Sequence, residues 1–479
     1  MSCTIVVNMS HEVPVEEFYK NKVPILGFII GWMGPNDMDY GHFAAGICAV
    51  LLVGIFWTLH VPVGPVFSAL IAFMPIWLPV MLFLLFFHKW MEVVGYAGYI
   101  HAGRTTMRIK LPPEVTKSPE AMEIVLAQIH NTQNPDNLMQ TYLQGKRPLP
   151  IGLEIASIGG EIRFYVNTPT KKSRDAFEAN MYAQYPGVEI IEEPVDYLAE
   201  VPLDYSDDEY TCFSLHMGKK KDDVFPIKTY IDYGLDKMPK EEEKVDPMTP
   251  MLEVLSTIKP FERIYVQFVI TAYRKDSFMN GQLKENDHWE KSVNEKVDEL
   301  MQRDPETKAP KNKNSTDEEN DFSGSPRITP GERDTIEAME RNVSKYPYWT
   351  GIRWYYVTKA GQFNGNLINP VIRSFSQYDM IGRNQVGVRW RTDFGYMKIS
   401  DPTGKRLDQL RRQELKELKQ RKYFQKGGAD GEVMFSVEEL ATMFHLPGTV
   451  ALTPTLNRIE SARSEAPSNL PVGIPTSES

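Results

Sequence analysis

From residue 40 to residue 88 the chain carries no Lys, Arg, Asp or Glu. One such residue at the centre of a span costs about 2.5–3.5 kcal/mol, so a charge-free run of this length is predicted to lie in a bilayer. It is too long for one crossing. Pro62, Gly64 and Pro65 break it into 43–59 and 66–87, each near the ~20 residues that cross a hydrocarbon core. The short linker makes the two helices antiparallel, so residues 41–99 read as a transmembrane helical hairpin. Trp57 and Trp90 fall where an aromatic belt belongs, and Pro75 and Pro79 predict a kinked second helix. The competing reading is a buried helical hairpin in a soluble core. Residues 1–40 contain His11, Glu16, Glu17, Lys20 and Lys22. They read as a cytoplasmic or interfacial segment rather than a cleavable signal, and the apolar stretch 25–33 is too short to span. After the hairpin, Lys89, Arg104, Arg108 and Lys110 face one acid, Glu92, which by the positive-inside rule puts the bulk of the chain in the cytoplasm.

Beyond residue 100 the periodicity changes. Met107, Ile109 and Leu111 alternate as in a strand, and Met122, Val125, Leu126 and Ile129 recur at helical spacing behind Ser118-Pro119-Glu120, with Ser118 expected to cap. Ile151, Leu153 and Ile155, a Gly159-Gly160 turn, then Ile162, Phe164 and Val166 read as a hairpin. Phe177, Met181 and Tyr185 mark a second helix that Pro186-Gly187 ends, and Val188 and Ile190 open a last strand. The order β-α-β-β-α-β predicts a ferredoxin-like (split βαβ) unit over 100–203. A second, embellished unit is predicted over 204–400. Its strands centre on Phe213, Leu215 and Met217, on Ile264 to Ile270, and on 352–357; its helices lie near 247–255, 290–301, 336–343 and 367–378. The polar stretch 303–330 reads as a disordered insertion. The fold class is therefore α+β: a membrane hairpin followed by two ferredoxin-like units.

Residues 401–446 read as a basic helix and a small helical segment, and the Pro-, Ser- and Thr-rich 447–479 as a linker or docking tail. In the basic helix, Leu407, Leu410, Leu415 and Leu418 form the inner stripe. Lys405, Arg406, Arg411, Arg412, Lys416, Lys419, Arg421 and Lys422 are either a solvated face or a contact for DNA or anionic lipid.

Bulk composition adds constraints. Over 479 residues the net charge is −10, which does not favour nucleic-acid binding by the chain as a whole. Three cysteines, Cys3, Cys48 and Cys212, are too scattered for a disulfide framework or a CxxC metal site. Neither a phosphate loop, a G-x-S-x-G elbow nor an H-E-x-x-H helix is present. Gly218-Lys219-Lys220 lacks the flanking residues of a phosphate loop, and Cys212 with His216 makes a poor metal pair. The reading is non-enzymatic, with no cofactor.

Four segments carry a resemblance: MRIKLPPEVTKSPEAMEIVLAQIH (107–130); LEIASIGGEIRFYVNTP (153–169) with YAQYPGVEIIE (182–192); DPMTPMLEVLSTIKPFERIYVQFVI (246–270); and EELATMFHLPG (438–448) with LNRIESARSEAPSNLP (456–471). In this order they resemble an uncharacterised bacterial family of membrane-anchored N-terminal domains. Those domains are fused to, or encoded beside, HerA/TraG-like ATPases of type IV secretion and conjugative DNA transfer. In the fused relatives a segment like SEAPSNLP leads into the motor. The resemblance implies an inner-membrane, multi-pass platform for a separate ATPase acting in trans, forming homo-oligomers, with DNA contact left open. The rival expectation, from a different class, is a membrane-tethered sensor or regulator binding a small ligand between the two α+β units.

Overall fold

A computed structural model describes residues 64, 68, 71–112, 115, 117–130, 132, 138–146, 148–169, 171–201, 210–237, 245–273, 288–301, 303, 328–392, 405–423 and 431–448. The expected first span, the segment 25–33 and the tail beyond Gly448 lie outside the described residues. So does 304–327 of the expected insertion, although Thr329 at its end caps a helix.

The second predicted span is helix α1, Met74–Ala102, with Pro79 inside it. At 1.5 Å per residue its 29 residues reach about 44 Å. Among the described residues it is one helix long and apolar enough, by length and composition, to cross a membrane. Ile76, Val80, Phe83 and Phe86 on its N-terminal part are exposed, whereas Val94 farther along is buried.

Among the described residues nine strands form one antiparallel sheet: β1 (Thr105–Lys110), β2 (Ile151–Ile158), β3 (Glu161–Thr168), β4 (Glu189–Glu193), β5 (Tyr210–Lys219), β6 (Arg263–Ala272), β7 (Pro347–Lys359), β8 (Val386–Arg391) and β9 (Val433–Ser436). The order across it is β4-β1-β3-β2-β6-β7-β5-β8, with β9 pairing β7. The first four strands therefore lie in the order 4-1-3-2 and the next four mirror it, meeting where β2 pairs β6 from Ile151↔Ile270 to Ile158↔Arg263. The two expected units are halves of one sheet. β9 continues the line of β5 along β7, from Thr350↔Val433 to Pro347↔Ser436.

Alternation gives the sheet two different faces. Ile109, Leu153, Phe164, Val166, Val266, Phe268, Leu215 and Trp354 point to one face. They share a core with helices α2 (Glu120–Ile129), α4 (Lys171–Gln184), α5 (Thr249–Ser256), α8 (Ile368–Ser374) and α10 (Val437–Met443). A short helix, α3 (Leu138–Tyr142), stands apart beside α1. Helices α6 (His288–Leu300) and α7 (Pro330–Val343) form a satellite core through Trp289, Val293, Ile336 and Met339. The predicted apolar faces of α2 and α4 are buried as expected. Ser118 supplies no side-chain cap to α2.

The C-terminal strap was underestimated by its sequence pattern. Every residue from Val433 to Leu446 is buried. β9 alternates Val433 and Phe435 into the main core with Met434 into the satellite. Phe444 packs edge-on against Phe164 of β3 and Phe268 of β6, so α10 covers the seam between the halves. Its polar groups are paired. Ser436 and Glu439 form a capping box, Lys219 reaches Glu439 at 2.8 Å, and Tyr230 N–H donates to Thr442 Oγ1.

Candidate functional site

On the opposite face, strand register lines up a row of polar and aromatic side chains. Tyr165 of β3 stands beside Glu154 of β2, then Gln267 of β6, Arg353 of β7, His216 of β5 and Trp390 of β8. Each occupies the alternate position of its strand, where a one-sided sheet normally meets water. Here helix α9, Lys405–Gln420, lies over the row. Leu415 and Leu418 pack on it, and Glu414 and Glu417, one turn apart, reach down into it.

The charges pair closely. Arg353 is fully buried. It donates to Gln267 Oε1 at 3.1 Å and Glu417 Oε2 at 3.2 Å, lies 3.4 Å from Glu414, and stacks over Tyr423. Glu414 also accepts from Ser214 Oγ at 3.2 Å and stands 2.8 Å from His216 Nε2. Arg421, just past α9, pairs with Glu154 at 2.9 Å and with Asp196. Tyr197 stacks on Tyr165 and donates its hydroxyl to Glu154 at 2.5 Å. Gly351 makes room for Tyr423, which follows α9, since a Cβ there would fall inside the Tyr423 ring.

Burial by itself would push the Glu414 carboxyl up. The charges of His216 and Arg353 and the hydrogen bonds from His216 and Ser214 overcome that and hold it at about 2. Asp196 is also penalised by burial, yet Arg421 and the Leu198 amide keep it below the usual carboxylate range. A group with a depressed folded pKa stabilises the fold above its unfolded value and loses that contribution as pH falls toward the folded value. For Glu414 the window runs from about 4.5 down to about 2, worth about 3 kcal/mol. Denaturant titrations of the full chain in detergent are expected to show the stability gap between wild type and Glu414→Gln shrinking by about that amount as pH drops from 5 to 2. A gap independent of pH would contradict the pairing.

The row joins the apolar helix. Tyr99 of α1 donates its hydroxyl to Gln420 O at 2.9 Å, and Lys422 lies over the rings of Tyr96 and Tyr99. Arg104, immediately after α1, donates to Asn167 Oδ1 at 2.5 Å and to Pro150 O at 2.8 Å. On the other flank, Trp90 Nε1 donates to Tyr142 O at 2.9 Å and Phe87 packs on the Tyr142 ring. Gly145, at φ +66°, lies so close that a Cβ there would land on the Val94 carbonyl. The C-terminal half of α1 is thus fixed to both sheet and loop.

The sequence-predicted basic residues do not form one face. Arg421 is a correction: it is buried and ion-paired, so neither DNA nor lipid can reach it. Lys419 is half-buried and donates to Val201 O, and Arg411 pairs with Asp408 along the helix. Arg412, Lys416 and Lys422 are exposed. The side chains of Lys405 and Arg406 lie outside the described residues. Cys212 and His216 do share a face, but His216 is taken by Glu414. The seam where the sensor reading placed a ligand is a continuous strand pair. Among the described residues, no group of three or more His, Cys, Asp or Glu is placed to hold a metal ion.

Sequence reasoning missed the row because Glu154, Gln267, Arg353 and His216 each look like an outward residue of an alternating strand. The available signal was Glu414 and Glu417, two acids on the inner side of an otherwise basic helix. Arranged this way the row clamps α9 and α1 to the sheet. No curated protein and no solved structure matches the chain. A family model does, over residues 99–458, from the end of α1 through the buried strap. The chain belongs to the family described as a domain of unknown function, DUF8128.

Proposed function

We propose that this chain is a non-enzymatic, membrane-anchored platform that holds a separate cytoplasmic motor ATPase. The setting would resemble type IV secretion or conjugative DNA transfer. The observation that carries the reading is α1, apolar and exposed over its N-terminal part, yet locked to the domain from Phe87 to Tyr99. An anchor joined in this way transmits position and force instead of tethering a loose domain. The anchor is the second arm of a hairpin in the bacterial inner membrane, with the sheet domain in the cytoplasm by the positive-inside rule. The 4-1-3-2 strand order and its mirror image support two ferredoxin-like units fused edge to edge. The non-enzymatic reading draws support from the Ser214, His216 and Glu414 cluster, which is buried and used up in pairing. A homo-oligomeric ring is the natural state for a platform under a ring motor.

Membrane fractionation tests the anchor. The full chain is expected to stay in the pellet through alkaline carbonate extraction, and a variant lacking residues 41–88 to move to the supernatant. Extraction of the wild type by carbonate would contradict the reading.

A further inference from the structure

We infer that α3 and the loop after it form a second, shallow membrane contact beside α1, at the level of the lipid headgroups. This rests on the reading of α1 as a membrane anchor. The charge-free run ends at His88, so α1 leaves the hydrocarbon near Phe87 to Trp90. Tyr142 is held at that level from two directions, its ring 5.7 Å from the Phe87 ring and its carbonyl 2.9 Å from Trp90 Nε1. The loop then runs back along α1, where Gly145 abuts Val94 and Gly98. Because backbone touches backbone at that point, the depth of α3 relative to α1 is fixed by the fold and does not depend on side-chain rotamers.

Two large apolar side chains of this element face outward. Met139 is 66% exposed and Leu143 is 56% exposed, four residues apart and therefore on one side of a helical turn. No other part of the described domain covers them. They continue the exposed apolar surface of α1 at Phe86 and Val93, with the amphipathic Trp90 between. Lys146 follows at the loop end, exposed and bonded to Gln140, and Lys422 lies over Tyr96 and Tyr99 on α1. Aromatic and aliphatic groups beside lysines at the exit of a span are the chemistry of the bilayer interface. The occupant is lipid, argued from this continuity with the anchor surface.

Spin labels report the environment directly. Full-length single-site variants Met139→Cys, Leu143→Cys, Phe83→Cys and Ile381→Cys, in a Cys3→Ser, Cys48→Ser background, would be reconstituted in phosphatidylethanolamine–phosphatidylglycerol vesicles. Their collision rates with oxygen and with a water-soluble nickel chelate would then be compared. Phe83 on α1 and Ile381, 85% exposed in the domain, serve as lipid and water references. The expected result is a shift of positions 139 and 143 from the nickel-favouring behaviour of 381 toward the oxygen-favouring behaviour of 83. Positions 139 and 143 behaving like 381 while 83 reports lipid would overturn the inference and leave the anchor standing. Position 83 also reporting water would overturn the anchor reading itself. Positions 139 and 143 shielded from both reagents would mean that protein covers them, and would likewise overturn the inference.

Discussion

Arg353→Met is expected to destabilise the full-length protein by about 3–5 kcal/mol, the loss typical when one partner of a buried charge group is removed. Arg353 is the cation that Glu414 and Glu417 share, and it also donates to Gln267 and to Lys422 O. Without it two carboxylates remain under α9, with His216, Ser214 and Gln413 among the partners left to them. The loss is therefore a matter of orphaned charge more than of lost attraction. Adding Glu414→Gln and Glu417→Gln to Arg353→Met is expected to restore much of the stability, because the uncompensated charges are gone. Cys212 is a convenient reporter, buried on the same face of the sheet. In a Cys3→Ser, Cys48→Ser background its thiol-labelling rate in detergent should rise on Arg353→Met and fall again in the triple variant. Equal labelling of all three proteins would show that the clamp contributes little.

The second large effect is at the other end of the chain. Truncation after residue 430 removes β9 and α10. It strips Val433, Phe435, Val437, Leu440, Met443, Phe444 and Leu446 from the main core. At about 1.5–3 kcal/mol for each fully buried side chain, the loss is roughly 10–20 kcal/mol, at or beyond the whole stability of an ordinary domain. It also leaves Lys219 buried without Glu439. The truncated chain is expected not to fold, read as loss of the cooperative unfolding transition and rapid proteolysis. A chain ending at Gly448 retains the described contacts of the strap and is expected to unfold at the same denaturant midpoint as the full chain. If the cut after 430 left a cooperative transition intact, the strap would be an appendage and the description of the core would be wrong.

Much of this architecture is legible in the sequence because local period and burial agree. The strand at Ile264 to Ile270, the helix faces of Met122 to Ile129 and Phe177 to Tyr185, and the Gly159-Gly160 turn all follow from alternation, 3.6-residue spacing and turn chemistry. Three features did not follow. β8, Val386–Arg391, is short and half polar, and its partner β5 lies far back in sequence. The strap at Val433–Leu446 mixes Ser436, Glu438, Glu439, Thr442 and His445 with apolar residues. A polar pattern of that kind reads as surface unless the fixed partners Lys219, Thr229, Tyr230 and Asp246 are known. The clamp was hidden for the same reason: its charges neutralise one another across strands and helix, a tertiary fact that single-strand alternation cannot express. Arg421, taken from sequence as surface charge, is the clearest case.

β9 and α10 belong to the core, and a chain ending at Gly448 keeps both. The most direct test of the platform is to purify the full chain from native membranes in mild detergent, through a tag near its N-terminus, beside the chain ending at Gly448. The account predicts that the full chain brings down a HerA/TraG-like ATPase as a stable partner, that the shortened chain stays folded and membrane-bound, and that it loses the ATPase. Recovery of the full-length protein alone, folded and monomeric, would contradict it.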